Sequence, residues 1–134
     1  MVLVGVLAAI ATLSALAQEM MVVIKNVKDG SGFVRLALYN SDDLFMKTEI
    51  QRAEVKAENG EVVVVFKRVE PGIYAISVMH DSNDNKELDS NMFGIPREGF
   101  GFSNDAMGMF GPPDFKKASF EYTGNKITIN LRYM

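Results

Sequence analysis

Residues 50–68 read IQRAEVKAENGEVVVVFKR. In the first half Ala53, Val55 and Ala57 alternate with Arg52, Glu54 and Lys56, the two-residue period of a strand with one dry face and one wet face. The second half, Val62-Val63-Val64-Val65-Phe66, is β-rich and unbroken, which suggests a strand buried on both faces. Between them stands Asn59-Gly60, a pair that tolerates positive φ and is the strongest short hairpin signal in the chain. The stretch predicts an all-β domain with a hairpin at this point.

The same grammar extends in both directions. Upstream, Met20 to Asn26 and Phe33 to Tyr39 read as strands, separated by Lys28-Asp29-Gly30-Ser31-Gly32 and closed by Asn40-Ser41-Asp42-Asp43. Downstream, Glu70-Pro71-Gly72 suits a type II turn and feeds a strand from Ile73 to Met79. Ala118 to Tyr122 and Lys126 to Tyr133 are expected to form a last hairpin about Gly124-Asn125, with Ile127, Ile129 and Leu131 facing inward. Leu44 to Arg52 offers at most a helical turn. Turn signals at this spacing predict a seven-stranded antiparallel β-sandwich, immunoglobulin-like in architecture.

The first seventeen residues stand outside that pattern. Val2 to Leu16 is almost wholly apolar and ends in Ala15-Leu16-Ala17 before Gln18-Glu19, the apolar run and small-residue cleavage site of a secretory signal peptide. No Lys or Arg precedes the run. It is also short for a membrane anchor, which needs roughly 20 residues. The expectation is an exported protein, periplasmic or secreted, with a single domain over residues 18–134 and no transmembrane span in the mature chain.

With a formal charge of −3 and only isolated basic pairs, Lys67-Arg68 and Lys116-Lys117, the chain lacks the grouped cations that phosphate neutralisation needs, so nucleic acid is not an expected partner. It has no cysteine. That removes disulfides, thiolate catalysis and thiolate metal sites, and leaves the core, or a metal, to hold an exported domain together.

Residues 81–115 are too long for an ordinary connection, and loops of that length are usually functional or disordered. Phe93, Phe100, Phe102, Phe110 and Phe115 argue for a folded loop packed on one end of the sandwich. Its start, Asp81, Asn83, Asn85, Glu87 and Asp89, places oxygens at alternate positions, like the first half of an EF-hand calcium loop. Lys86 stands where that loop has glycine and Met92 where it has a bidentate glutamate. An EF-hand proper is excluded. Two readings stand: a looser calcium site, or a metal-free ladder of Asx-turns in which each side chain bonds backbone two residues on.

His80, the only histidine, precedes Asp81, but no nucleophile motif accompanies it, and Ser82 and Ser103 lack a G-x-S-x-G context. A structural histidine and a non-enzyme are expected. The nine methionines, Met107 and Met109 among them, raise copper(I) as a weaker alternative, since thioethers with one imidazole are soft ligands.

Residues 80–115, HDSNDNKELDSNMFGIPREGFGFSNDAMGMFGPPDF, closely resemble the signature of an uncharacterised family of exported bacterial proteins, domain of unknown function 2141. The family pattern H-D-x-N-x-N-x-x-L-D-x-N-x-F-G-x-P-x-E-x-x-G-F-S-N, followed by F-G-P-P, is present in full from His80 to Asn104 and at Phe110 to Pro113. Pro71, Gly72 and Tyr74 fit its upstream P-G-x-Y. The resemblance implies export and a β-sandwich, without an activity. A more distant likeness links the P-G-x-Y to D-x-N-x-N junction with transthyretin-like and collagen-adhesin B-type sandwich modules, some of which calcium stiffens. The expected function is a non-catalytic binding or envelope-associated module. Its ligand surface comprises Phe93, Phe100 and Phe102 with Arg97 and Glu98 at the rim, suited to a saccharide or peptide. The alternative is a purely structural domain with the loop as a plug.

Overall fold

The computed structural model describes residues 17–87, 98–109 and 111–134. They carry eight strands, one more than expected: β1 (Gln18–Val27), β2 (Phe33–Tyr39), β3 (Gln51–Lys56), β4 (Gly60–Val69), β5 (Gly72–Asp81), β6 (Phe100–Phe102), β7 (Phe120–Tyr122) and β8 (Ile127–Asn130). A single-turn helix, α1 (Phe115–Ala118), and a 3-10 turn at Ser103–Asp105 lie between β6 and β7. The supernumerary strand is β6, which arises inside the segment expected to be one long loop. Leu44 to Arg52 holds hydrogen-bonded turns, with the Lys47 and Thr48 N–H groups donating to the Leu44 carbonyl, followed by the start of β3.

Two sheets face each other. The small one runs β4-β1-β8 and the large one β3-β2-β5-β6, with β7 pairing the start of β5. Between them lies the core. Met20, Val22 and Ile24 of β1 and Val62, Val64 and Phe66 of β4 meet Val34, Leu36 and Leu38 of β2 and Ile76 and Val78 of β5. Each set comes from alternate positions, because one side chain in two points inward along a strand.

Both expected hairpins are corrected. β3 pairs with β2, whereas β4 pairs with β1, so the chain crosses at Asn59-Gly60 from one sheet to the other. Gly60 (φ +98) makes the turn, but Ala53 and Val55 pack on the core from one side while Val62, Val64 and Phe66 reach it from the other. In a hairpin these residues would share one face of one sheet. The Thr123 to Lys126 turn likewise carries the chain from β7, on β5, to β8, which runs parallel to β1; the sandwich is therefore not wholly antiparallel. Burial of Val62 to Phe66 on both faces is corrected as well, since Val63 is 47% exposed.

The open sides of the sandwich are stitched. On one side the Gln51 carboxamide donates to the Lys67 carbonyl (2.9 Å) and accepts from the Lys67 N–H (2.8 Å), standing in for a strand neighbour. On the other, Phe100 and Arg132 exchange both backbone bonds, at 3.0 and 2.8 Å, and link β6 to the chain beyond β8. The large sheet also has a partly apolar outer face. Tyr39, Ala75 and Phe102 form a second cluster there with Phe45 and Ala118, and Phe45 meets Tyr39, Phe102 and Phe115 edge-on at 5.2, 6.4 and 5.7 Å.

Candidate functional site

Asp81 ends β5 and is fully buried. One carboxylate oxygen accepts from Arg35 Nε (2.9 Å) and the Lys86 N–H (2.7 Å), the other from the Asn85 N–H (3.1 Å). Arg35 also reaches Glu54 and Asp84 with its remaining nitrogens and lies over the Phe33 ring. Beyond Asp81 the ladder continues as backbone turns: the Asn85 N–H donates to Asn83 Oδ1 (3.3 Å) and the Glu87 N–H to Asn85 Oδ1 (3.0 Å). Lys86 takes φ +64, the left-handed conformation that a glycine would supply more cheaply. The Asx spacing therefore builds a hydrogen-bonded turn around an arginine. Among the described residues no three His, Asp or Glu side chains gather in a metal-binding arrangement. Asp89 lies outside the described residues.

His80 points to the opposite face of the sheet from Asp81, as consecutive strand residues must. It is 2% exposed. Its Nε2 lies 2.7 Å from the Ser31 carbonyl and its Nδ1 2.9 Å from the Tyr133 hydroxyl. A carbonyl only accepts, so Nε2 donates to Ser31, and in the neutral ring this leaves Nδ1 to accept from the phenol. Tyr133 in turn accepts from the Lys28 N–H at 2.8 Å. A side chain on Gly32 (φ +64) would strike the Asp81 carbonyl, so the Ser31 turn reaches the imidazole only because that position is bare. Hydrogen bonds from the Ser31 hydroxyl and N–H hold the nearby Asp29 carboxyl below its usual pKa.

Glu98 is buried beside His80 and not at the rim of the phenylalanines. It accepts from the Ser82 N–H (2.8 Å) and hydroxyl (3.1 Å). His80, Glu98, Ser82 and Tyr133 border a cavity of about 130 Å³, whereas Met107 and Met109 line a different one across the sheet. The histidine and those methionines are thus not brought together.

Sequence reasoning missed the part played by Ser103-Asn104-Asp105. The buried Ser103 hydroxyl accepts from the Ile76 N–H (2.9 Å) and donates to the Ala118 carbonyl (2.5 Å). The Asn104 amide donates to the carbonyls of Lys117 and Ser119, and the Asp105 carboxylate accepts from the N–H and the side-chain amide of Asn130. Asn104 and Asp105 both have positive φ, which Asn and Asp tolerate better than most residues. Three short polar side chains pin β5, α1 and β8 to one point. The run of small polar residues after a Gly-Phe pair was the available signal.

The large concavity lies on the outer face of the large sheet and measures about 1180 Å³. Arg35, Ala37, Ser77 and Met79 of the sheet line it together with Phe100, Met46, Arg52, Met107, Met109, Pro112 and Met134, and Glu49, Glu54, Asp84 and Lys86 add charge to its border. Five of the nine methionines thus border one groove. Phe100 is half-buried in it, and Phe102 borders it while sitting mainly in the second apolar cluster. Phe93 and Arg97 lie outside the described residues. No helix among the described residues is long and apolar enough to cross a membrane.

Residues 22–130 match the model of a family described as uncharacterized protein conserved in bacteria, domain of unknown function 2141. No curated protein and no solved structure matches the chain, so the likeness to transthyretin-like and collagen-adhesin modules finds no counterpart there.

Proposed function

Because the chain belongs to that bacterial family, whose description carries no activity, we propose its function from its own surface: an exported, non-catalytic binding module that holds an apolar peptide segment in the methionine-bordered groove. The observation that carries this reading is an open groove of about 1180 Å³ bordered by Met46, Met79, Met107, Met109, Met134 and Phe100. Thioether side chains are unbranched and polarizable, so they repack around ligands of different shape. A peptide suits this lining, since the thioethers and Phe100 take apolar side chains while Ser77, Arg52, Asp84 and Lys86 offer polar partners to its backbone. Export rests on the apolar leader with its Ala15-Leu16-Ala17 end. In this reading the Asp81 turn serves as a stiff flank, with Asp84 and Lys86 on the groove's border.

Methionine-methyl NMR tests the groove directly, because Met20, Met21, Met79, Met107 and Met109 sit in different surroundings. Titration with apolar peptides is expected to move the methyl signals of Met79, Met107 and Met109 and leave that of Met20, buried in the core, unchanged. Shifts confined to Met21, on the other sheet, or no shift with any apolar peptide, would overturn the proposal.

A further inference from the structure

The small sheet turns a second, different surface to solvent. The β1–β4 register sets Met21 opposite Val65 and Val23 opposite Val63. Their neighbours along each strand point into the core, so these four side chains share the outer face. Met21 is 46% and Val63 47% exposed and Val65 is half-buried, whereas Val23, on the central strand, is only 7% exposed, so Met21, Val63 and Val65 supply the apolar area. β8 borders them with Thr128 beside Val23 and Asn130 beside Lys25.

Charge frames the apolar centre in a defined way. At one end Lys25 on β1 opposes Glu61 on β4. At the other the ladder slips between Gln18 and Met20, and Glu19 on β1 comes against the Lys67-Arg68 step of β4. Each strand therefore carries one sign at one end and the opposite sign at the other, and the two strands are opposed. None of Glu19, Lys25, Glu61 or Lys67 belongs to an ion pair among the described residues.

A four-cornered charge pattern of this kind is its own complement. When a second copy is laid face to face about a two-fold axis in the plane, every corner meets the opposite sign. With the axis along the strands, Glu61 meets the partner's Lys25 and Glu19 the partner's Lys67. With the axis across the strands, Glu61 meets the partner's Lys67 and Glu19 the partner's Lys25. Such an isologous contact closes as a dimer. We propose that the outer face of the small sheet docks on the same face of a second copy of this chain, leaving the groove on the opposite sheet free.

β1 and β4 from Glu19 to Lys25, with β8 beside only Val22 to Lys25, at about 4.8 Å between strands and a rise of about 3.3 Å per residue, offer a face smaller than about 14 by 20 Å. That is small beside the roughly 800 Å² per partner of a standard interface. The dimer is accordingly weak and depends on concentration, with the charged corners setting orientation and the apolar centre supplying most of the attraction.

Sedimentation velocity across a dilution series tests the proposal, with the Met21 methyl signal followed in parallel. The expected result is a monomer–dimer equilibrium in which the Met21 signal moves on dilution while Met79 and Met107 hold still. Val63→Lys, at an exposed position, should weaken association at least about tenfold, equivalent to about 1.4 kcal/mol, with the circular dichroism melt showing that the fold persists. Glu61→Lys should also weaken it, and adding either Lys25→Glu or Lys67→Glu should restore it, the effective partner identifying the axis. Sedimentation as a monomer throughout overturns the proposal. So does a dimer indifferent to Val63→Lys, or a Glu61→Lys defect that neither second reversal repairs.

Discussion

Asp81→Ala isolates the junction on which the start of the long segment depends. The carboxylate is fully buried and organises three donors: Arg35 Nε and the N–H groups of Asn85 and Lys86. Breaking a buried ion pair from one side costs about 3–5 kcal/mol. Two features reduce that figure. Arg35 keeps Glu54 and Asp84 as partners, and Asn85 and Lys86 are exposed, so water replaces part of what their amides lose. The expected destabilisation is about 2–4 kcal/mol, a large part of the roughly 5–15 kcal/mol that holds a domain together. At about 4 °C per kcal/mol for a chain of this size, the melting temperature falls by about 8–16 °C. Urea unfolding gives the free energy and a thermal melt the temperature. The same melt in added calcium bears on the turn itself. With Arg35 seated on the carboxylate, calcium is expected to leave the wild-type melt unchanged. A loss below about 1 kcal/mol, or a calcium-specific rise in the wild type that Asp81→Ala abolishes, would refute this account of the turn.

Two further outcomes follow from the polar interior. Ser103→Ala strands the Ile76 N–H and the Ala118 carbonyl in a site with no exposure, and at about 1–3 kcal/mol for each buried group left unmade it should cost about 2–6 kcal/mol in urea unfolding; a loss under about 1 kcal/mol would mean that the staple is dispensable. Burial pushes the phenols of all four tyrosines, Tyr39, Tyr74, Tyr122 and Tyr133, above the ordinary value of 10.0. The folded protein then holds those protons more tightly than the unfolded chain, so their contribution is complete below about pH 10 and is lost as pH rises through the folded values. Urea midpoints measured up the alkaline range should fall above about pH 10 as tyrosinate absorbance grows; a flat profile there would contradict the burial argument.

The candidate site was partly legible before the fold. The Asx alternation marked a real device, since the side-chain oxygens of Asn83 and Asn85 each accept from backbone two residues on. The loop phenylalanines were marked as a surface, and Phe100 and Phe102 do border the groove. Glu98 could not have been placed from its neighbours in the chain, because its partner, Ser82, lies across the start of the long segment. The groove was not legible at all. Ala37 and Ser77 look like unremarkable strand residues, and Met46, Met107, Met109 and Met134 are scattered through the sequence.

By itself the sequence determined seven of the eight strands and, for β3 and β8, which side is dry, because the alternation of side chains along an extended backbone is a local property. It also determined where the chain must turn, through Asn59-Gly60 and Pro71-Gly72, and which family the chain belongs to. Only the tertiary structure decided which strands are neighbours. A turn residue permits a reversal of direction but does not specify whether the next strand stays in the same sheet or crosses the core. That choice fell to the long apolar β1, which took β4 on one edge and β8 on the other and left β3 to β2. The same choice gathered the methionines into a groove on one outer face and set Met21 and Val63 side by side on the other, since a surface exists only once distant segments have been laid next to one another.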